Sequence, residues 1–380
     1  MLLAVCLLLT GLHLRPTDPP RALPNPTPLG VPFQRYTTRD AYDRTITFYL
    51  SVPPKTERPE GLPIVLFIGG SGSQSLFSKR GDRIAGGFQN ILLMEEKGRA
   101  RVLVVEKPGV KFLDAPERPG SAIGATEEFL REHTLPRWAE ANAAALRAAW
   151  TLRGINRTRT LVIGHSEGGI VAARVAAEVP QVTHVASLSG GGPTQLYDLA
   201  EIQRQPGLGD KPGDAERRVD SFYAEWAKVQ KNPDSIKDFW LGHPNRRWSS
   251  FLKDSVTEEM LRSKAKIFLA QGTEDRSVSV GSFDVLVAEL NARGRSVTSE
   301  RVQGADHGFR TADMPPGSPN GMQAMFDKVL AWFFAGVANA KVLCLRYGRC
   351  DLPREPFDSR RAGFCSAAAV RRPSIPLPHQ

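Results

Sequence analysis

Cysteine is scarce: the chain of 380 residues holds four, Cys6, Cys344, Cys350 and Cys365, and none from residue 7 to 343. That excludes a disulfide framework, a cysteine-ligated metal and a cysteine nucleophile from the body of the protein. The three cysteines of the C-terminal stretch could pair or bind metal, but they have no C-x-x-C spacing and form an odd set, so they are uninformative. An apolar run long enough to span a bilayer is lacking too. Leu2 to Leu12 has only the length of a signal-peptide core. No Lys or Arg precedes it, no A-x-A pattern follows it, and Cys6 stands too early for a lipoprotein site. Residues 1–14 are therefore a possible signal sequence that leaves export and cytoplasmic retention equally open.

Basic residues are in excess, with a formal net charge of +10, but they are not spread as a binding surface. From Lys341 onward eight Lys or Arg face three acids, so half of the excess sits in a short basic tail. No interleaved basic and aromatic motif accompanies it, which argues against a nucleic-acid partner. With 41% hydrophobic and 24% charged residues the balance is that of an ordinary globular protein.

Residues 15–32 are rich in proline, which removes backbone donors and predicts an extended, solvated linker before a folded domain at 33–340. Thr45 to Val52 reads as an early strand. Ile64–Ile68, Val102–Val105, Leu161–Ile163 and Val185–Leu188 are short apolar runs of the kind buried on both faces of a parallel sheet. Helical patterns lie between them, most clearly Pro136 to about Leu152 and Glu167 to Glu178. After Gly192 the alternation stops. It resumes at Lys266 with strand, helix, strand, helix over Lys266–Gln271, Phe283–Leu290, Val297–Val302 and Met322–Phe334. The stretch between, about 193–264, carries Trp226, Trp240 and Trp248 and reads as a helical cap insertion whose aromatics form a small core or line a pocket. The tail at 341–380 reads as irregular. Strand and helix in alternation predict an α/β fold with a mostly parallel sheet covered on both faces.

The chemistry centres on Gly164-His165-Ser166-Glu167-Gly168. A G-x-S-x-G pattern carries little weight by itself, but here a buried strand precedes it and a helix with a small-residue base follows. A strand-to-helix turn of that sharpness strains the serine backbone and lifts its hydroxyl out of the sheet, and the flanking glycines remove the clashes. A serine hydroxyl needs a base, and the base needs an acid to orient it. Of the seven histidines, His307 lies in a glycine-flanked loop directly after the strand Val297–Val302. His165 is expected to point another way from the turn. For the acid, Asp275 follows the strand ending at Gln271, with Glu274 and Asp306 as rivals.

The order Ser166, Asp275, His307 is that of α/β-hydrolases. With these motifs the chain from about Ile64 to Phe334 resembles the α/β-hydrolase superfamily, in the group of dienelactone-hydrolase-like and prolyl-oligopeptidase-like enzymes. The resemblance implies a serine hydrolase with a catalytic triad, no metal or organic cofactor, and a small-molecule ester or peptide as substrate; a carboxylic ester is the default, a peptide or amide bond and a thioester are the alternatives, and a catalytically inactive binding protein on the same fold is the rival. It also implies an oxyanion hole. One donor is the backbone N–H of Glu167. The other comes from the loop Gly69-Gly70-Ser71-Gly72, with the Ser71 N–H expected and Gly70 as the alternative, since Gly69-Gly70 stands where the family commonly has His-Gly. Ser75 occupies the third glycine position of a G-x-G-x-x-G pattern, which disfavours a dinucleotide site.

Overall fold

The computed structural model describes residues 19–26, 30–52, 61–207, 210–315 and 321–347, with side chains described to residue 335. The possible signal sequence, Cys6, Cys350, Cys365 and most of the tail lie outside them. The chain divides into two units, 1–334 and 335–380. The second carries the end of a helix; the first carries everything that follows.

Strands β1 (Arg21–Leu23), β2 (Phe33–Arg39) and β3 (Thr45–Ser51) pair antiparallel and lead into β4 (Leu62–Ile68). A hairpin of β5 (Phe77–Arg80) and β6 (Arg83–Gly86) and helix α1 (Phe88–Glu96) precede β7 (Arg101–Val105). Helices α2 (Glu127–Glu132) and α3 (Leu135–Ala149) then precede β8 (Ile155–His165), and α4 (Glu167–Glu178) precedes β9 (His184–Leu188). An insertion follows: α5 (Gln195–Arg204), α6 (Asp214–Lys231), the short pair β10 (Phe239–Trp240) and β11 (His243–Pro244), α7 (Asn245–Phe251) and α8 (Val256–Arg262). Then come β12 (Lys266–Gly272), α9 (Val280–Ala292), β13 (Val297–Val302) and α10 (Gly321–Tyr347).

Nine strands form one sheet in the order β1-β2-β3-β7-β4-β8-β9-β12-β13, parallel from β7 to β13. Residue alternation explains why β4 is apolar throughout. Ile64, Leu66 and Ile68 pack beneath α3 and α4, while Val65 and Phe67 pack against α1 and α10 on the other face. Alanines at 139, 141, 143, 145, 148 and 149 let α3 lie close to the sheet.

Three expectations change. The proline-rich segment is extended but not wholly a free linker, because Arg21–Leu23 pairs with Thr37 to Arg35 and adds a strand to the sheet edge. The tail is not irregular from its start, since α10 runs on to Tyr347. The insertion also ends earlier over the site: Val256 and Met260 of α8 belong to the main core with α3 and α4. Above the sheet stand α5, α6, β10–β11 and α7, whose own small core is Val229, Trp248 and Leu252, flanked by Trp226 and Trp240. Trp248 belongs to that core and also lines the cavity below.

Candidate active site

The carboxyl ends of β4, β8, β12 and β13 converge on one edge of the sheet, where loops are free to carry functional groups. Between β8 and α4 stands Ser166, with φ 57° and ψ −129°. A non-glycine residue reaches that left-handed region only when its surroundings force it. Two glycines make the turn possible: a Cβ at Gly164 would collide with Gly168, and one at Gly168 with the Ile68 carbonyl at the end of β4. The Ser166 N–H is held by the Leu188 carbonyl at 2.9 Å. Its hydroxyl does not cap α4, so it is left free to line a cavity of about 810 Å³.

His307 lines the same cavity, and Asp275 stands behind it. Asp275 Oδ2 is 2.8 Å from His307 Nδ1 and accepts from Gln271 Nε2 at 2.7 Å, while Oδ1 accepts from the Ser277 and Val278 N–H groups at 2.8 and 3.0 Å. Burial acts to raise the Asp275 carboxyl, but the bond to His307, the imidazole charge and the two backbone donors outweigh it and hold the carboxyl below its ordinary value. An ionised carboxylate only accepts, so His307 Nδ1 carries a proton and donates to Asp275, which turns the Nε2 side of the ring away from the acid. Among the described residues no hydrogen bond joins the Ser166 hydroxyl to the His307 ring, a contact that apo sites often complete only when substrate is bound.

His165 was expected to point away from this group, and the structure corrects that. Its ring lies 4.9 Å from that of His307, and its Nε2 donates to the His307 carbonyl at 2.9 Å. Burial, then the neighbouring His307, pushes its pKa down to about 4, so it braces the loop as a neutral ring. The two rival carboxylates stand otherwise: among the described residues Glu274 makes no side-chain bond to His307, and Asp306 Oδ1 is occupied by the Gly308 and Arg310 N–H groups of its own turn.

Gly69, Gly70 and Ser71 also line the cavity. Gly70 lies against the serine so closely that a Cβ there would be 3.3 Å from Ser166 Cβ. The side chain of Glu167 turns inward and is fully buried. Its Oε1 accepts from His133 Nε2 at 2.9 Å, its Oε2 is 2.6 Å from Arg247 Nη2, and Lys107 Nζ is 3.6 Å from Oε1. Burial acts to raise this carboxyl, and His133, Arg247 and Lys107 overcome it, holding it well below the carboxylate range. Burial pushes His133 down to about 4, so a neutral ring donates to an ionised acid. Lys107, Arg247, His133 and the side chain of Glu167 were not singled out from the sequence. The one local signal was a lysine two residues beyond the apolar run of β7, at the carboxyl end of the sheet.

The alpha/beta hydrolase family model matches residues 65–317. No curated protein sequence matches the chain. Among solved structures it is similar to a puromycin-hydrolyzing peptidase of Mycobacterium tuberculosis, with TM-score 0.53 and 16% identity over 80% of this chain and 39% of that one. It is similar also to the acylaminoacyl peptidase of Pyrococcus horikoshii, with TM-score 0.51 and 15% identity over 80% and 41%. For Est1E from Butyrivibrio proteoclasticus the values are 0.49 and 16% over 80% and 99%. The chain thus spans about two fifths of the length of these peptidases. At such identities the structural likeness speaks for the fold. The family match covers well over half of the sequence, and the chain belongs to the alpha/beta hydrolase family.

Proposed function

We propose that the protein is a serine hydrolase that cleaves a carboxylic ester of a small molecule, with Ser166 as nucleophile, His307 as general base and Asp275 as the acid that orients it. The observation that carries this reading is the 2.8 Å bond from Asp275 Oδ2 to His307 Nδ1, which leaves the other ring nitrogen free above the cavity that Ser166 lines.

In the first step Ser166 Oγ attacks the ester carbonyl carbon while its proton passes to His307 Nε2. The carbonyl oxygen becomes an oxyanion, held by the backbone N–H of Glu167 at the head of α4 and by the N–H of Ser71. The carbon–oxygen bond to the alcohol then breaks as Nε2 returns the proton to the leaving oxygen. Water attacks the acyl carbon in the second step and gives a proton to Nε2, and that proton returns to Ser166 Oγ as the carboxylic acid leaves. Each step is supplied by protein groups and water, with no cofactor or metal required. A cavity of about 810 Å³ is of a size to enclose a small molecule.

The test is labelling by a fluorophosphonate probe, followed by a panel of p-nitrophenyl esters of increasing chain length beside aminoacyl anilides. Labelling lost in Ser166→Ala, with turnover of the esters, supports the reading. Turnover of the anilides alone makes the enzyme a peptidase. Absence of labelling in the native protein would leave a binding protein on this fold.

A further inference from the structure

Lys107 is nearly buried at the carboxyl end of β7, and its ammonium is spent on three acceptors. Nζ donates to the Gly70 carbonyl at 2.7 Å and to the Gly72 carbonyl at 2.8 Å, and it lies 3.6 Å from Glu167 Oε1. The Gly70 carbonyl and the Ser71 N–H belong to one peptide unit. No peptide bond among the described residues is cis, and in a trans unit the C=O and N–H point in opposite directions. Whatever grips the Gly70 oxygen therefore decides where the Ser71 N–H points. The loop needs such a grip, because Gly69-Gly70-Ser71-Gly72 is rich in the residue that permits a peptide to turn over with little strain.

The same ammonium reaches the second donor. Glu167 follows the nucleophile, and its side chain is tied to Lys107, Arg247 and His133 while its own backbone N–H sits at the head of α4. One buried cluster thus joins the two chain segments expected to hold the oxyanion, Gly69–Gly72 and Ser166–Glu167. In this cluster Lys107 and Arg247 both stand against the one carboxylate of Glu167.

We propose that Lys107 is a positioning residue of the oxyanion hole: by holding the Gly70 and Gly72 carbonyls against Glu167, it fixes the Gly70–Ser71 peptide with its N–H toward the nucleophile. This rests on the assignment of Ser166 as nucleophile. Lys107 touches no reacting atom, and its effect is carried by a peptide plane.

The experiment compares the native enzyme with Lys107→Met, which keeps the stem and removes the donor, and Lys107→Gln, which restores a neutral donor. Glu167 stays paired with Arg247 in both. The readouts are kcat per active site from a burst titration, KM for the best p-nitrophenyl ester, and the inhibition constant of a trifluoromethyl ketone, whose serine adduct carries the oxyanion. An ether analogue of the same ester reports binding without an oxyanion. For Lys107→Met we expect kcat to fall about 100-fold, with KM and ether affinity within about threefold, and the ketone to weaken by the same factor as kcat. Lys107→Gln recovers part of both. A purely structural lysine would lower the melting temperature and the titrated active fraction while leaving kcat per site and ketone affinity in place. Values within about threefold of native in whichever variant folds would overturn the proposal. Ser166→Ala separates the two readings: if it stays active, the nucleophile assignment fails, whereas a dead Ser166→Ala beside an unaffected Lys107→Met sinks the positioning role alone.

Discussion

The cavity has two unlike walls. One is the turn at Ser166, backed by Glu167, Lys107, Arg247 and His133 in a dry ion cluster whose side chains are almost wholly sealed from solvent. The other is the loop after the edge strand β13, where His307 keeps 27% of its side chain exposed and is held by Asp275 and by His165 beneath it. The contrast follows from the work proposed for each. Donors to an oxyanion must be fixed before charge develops. A base that takes a proton from one oxygen and returns it to another gains from a ring that can shift between them.

The comparison can be broken or sharpened by mutation. The largest effect is expected on the exposed wall: His307→Ala should lower kcat by a factor on the order of 10⁶ with little change in melting temperature, measured by ester hydrolysis and calorimetry. Asp275→Asn should lower kcat roughly 10⁴-fold, since an amide can donate to Nδ1 and leave the wrong nitrogen protonated. The dry wall should answer in stability as well as in rate. Arg247→Met takes the closest cation from Glu167 and should destabilise the protein by about 3 to 5 kcal/mol in urea unfolding. Equal melting of native and variant would show that Lys107 and His133 suffice alone. Gly70→Ala puts a methyl against Ser166 and should reduce kcat about tenfold while leaving the fold intact.

Acidity gives the smallest and most diagnostic signal. Burial pushes Glu106, which lines the cavity beside Lys107, up to about 8. Between its ordinary value and 8 the folded protein holds a proton that the unfolded chain does not. Its contribution to stability therefore falls as pH rises through that window, by at most about 1.4 kcal/mol per pH unit. The buried histidines work the other way. Burial lowers His133 and His165 to about 4 and His243 to about 3. Below pH 6.5 the unfolded chain binds protons there that the fold refuses, so stability is lost as pH falls. Glu106→Gln should flatten the slope above pH 6.5 and leave the acid limb unchanged, read as melting temperature against pH.

Much of this was legible in the sequence because it is local. The apolar runs of β4, β7, β8 and β9 announced a sheet covered on both faces, and the bounds of α4 and β13 could be read to the residue. Ser166, Asp275 and His307 were singled out by their positions after strands, and the structure places Asp275 against His307 and puts Ser166 and His307 on one cavity. What escaped depends on partners far apart in the chain. Glu167 meets His133 34 residues before it and Arg247 80 residues after it, and no periodicity encodes that meeting. Strand β2 escaped as well, since four of its seven residues are only half-buried and carry no clear alternation. The inward turn of Glu167 could not be read either, because a charged residue at a helix start ordinarily faces solvent and the dipole accounts for it there.

The cap residue Trp248 has a consequence for anyone wishing to change what the cavity accepts. It meets Trp240 at a tilt and His243 edge-on within the cap while also walling the cavity. Trimming it would widen the pocket and loosen the cap together, coupling selectivity to durability. Leu241 lies at the tip between β10 and β11, lines the same cavity, is 56% exposed and has a φ of 46° that glycine adopts with less strain. Leu241→Gly opens the cavity from its rim and relieves the backbone in the same change, so selectivity can be altered there without weakening the fold.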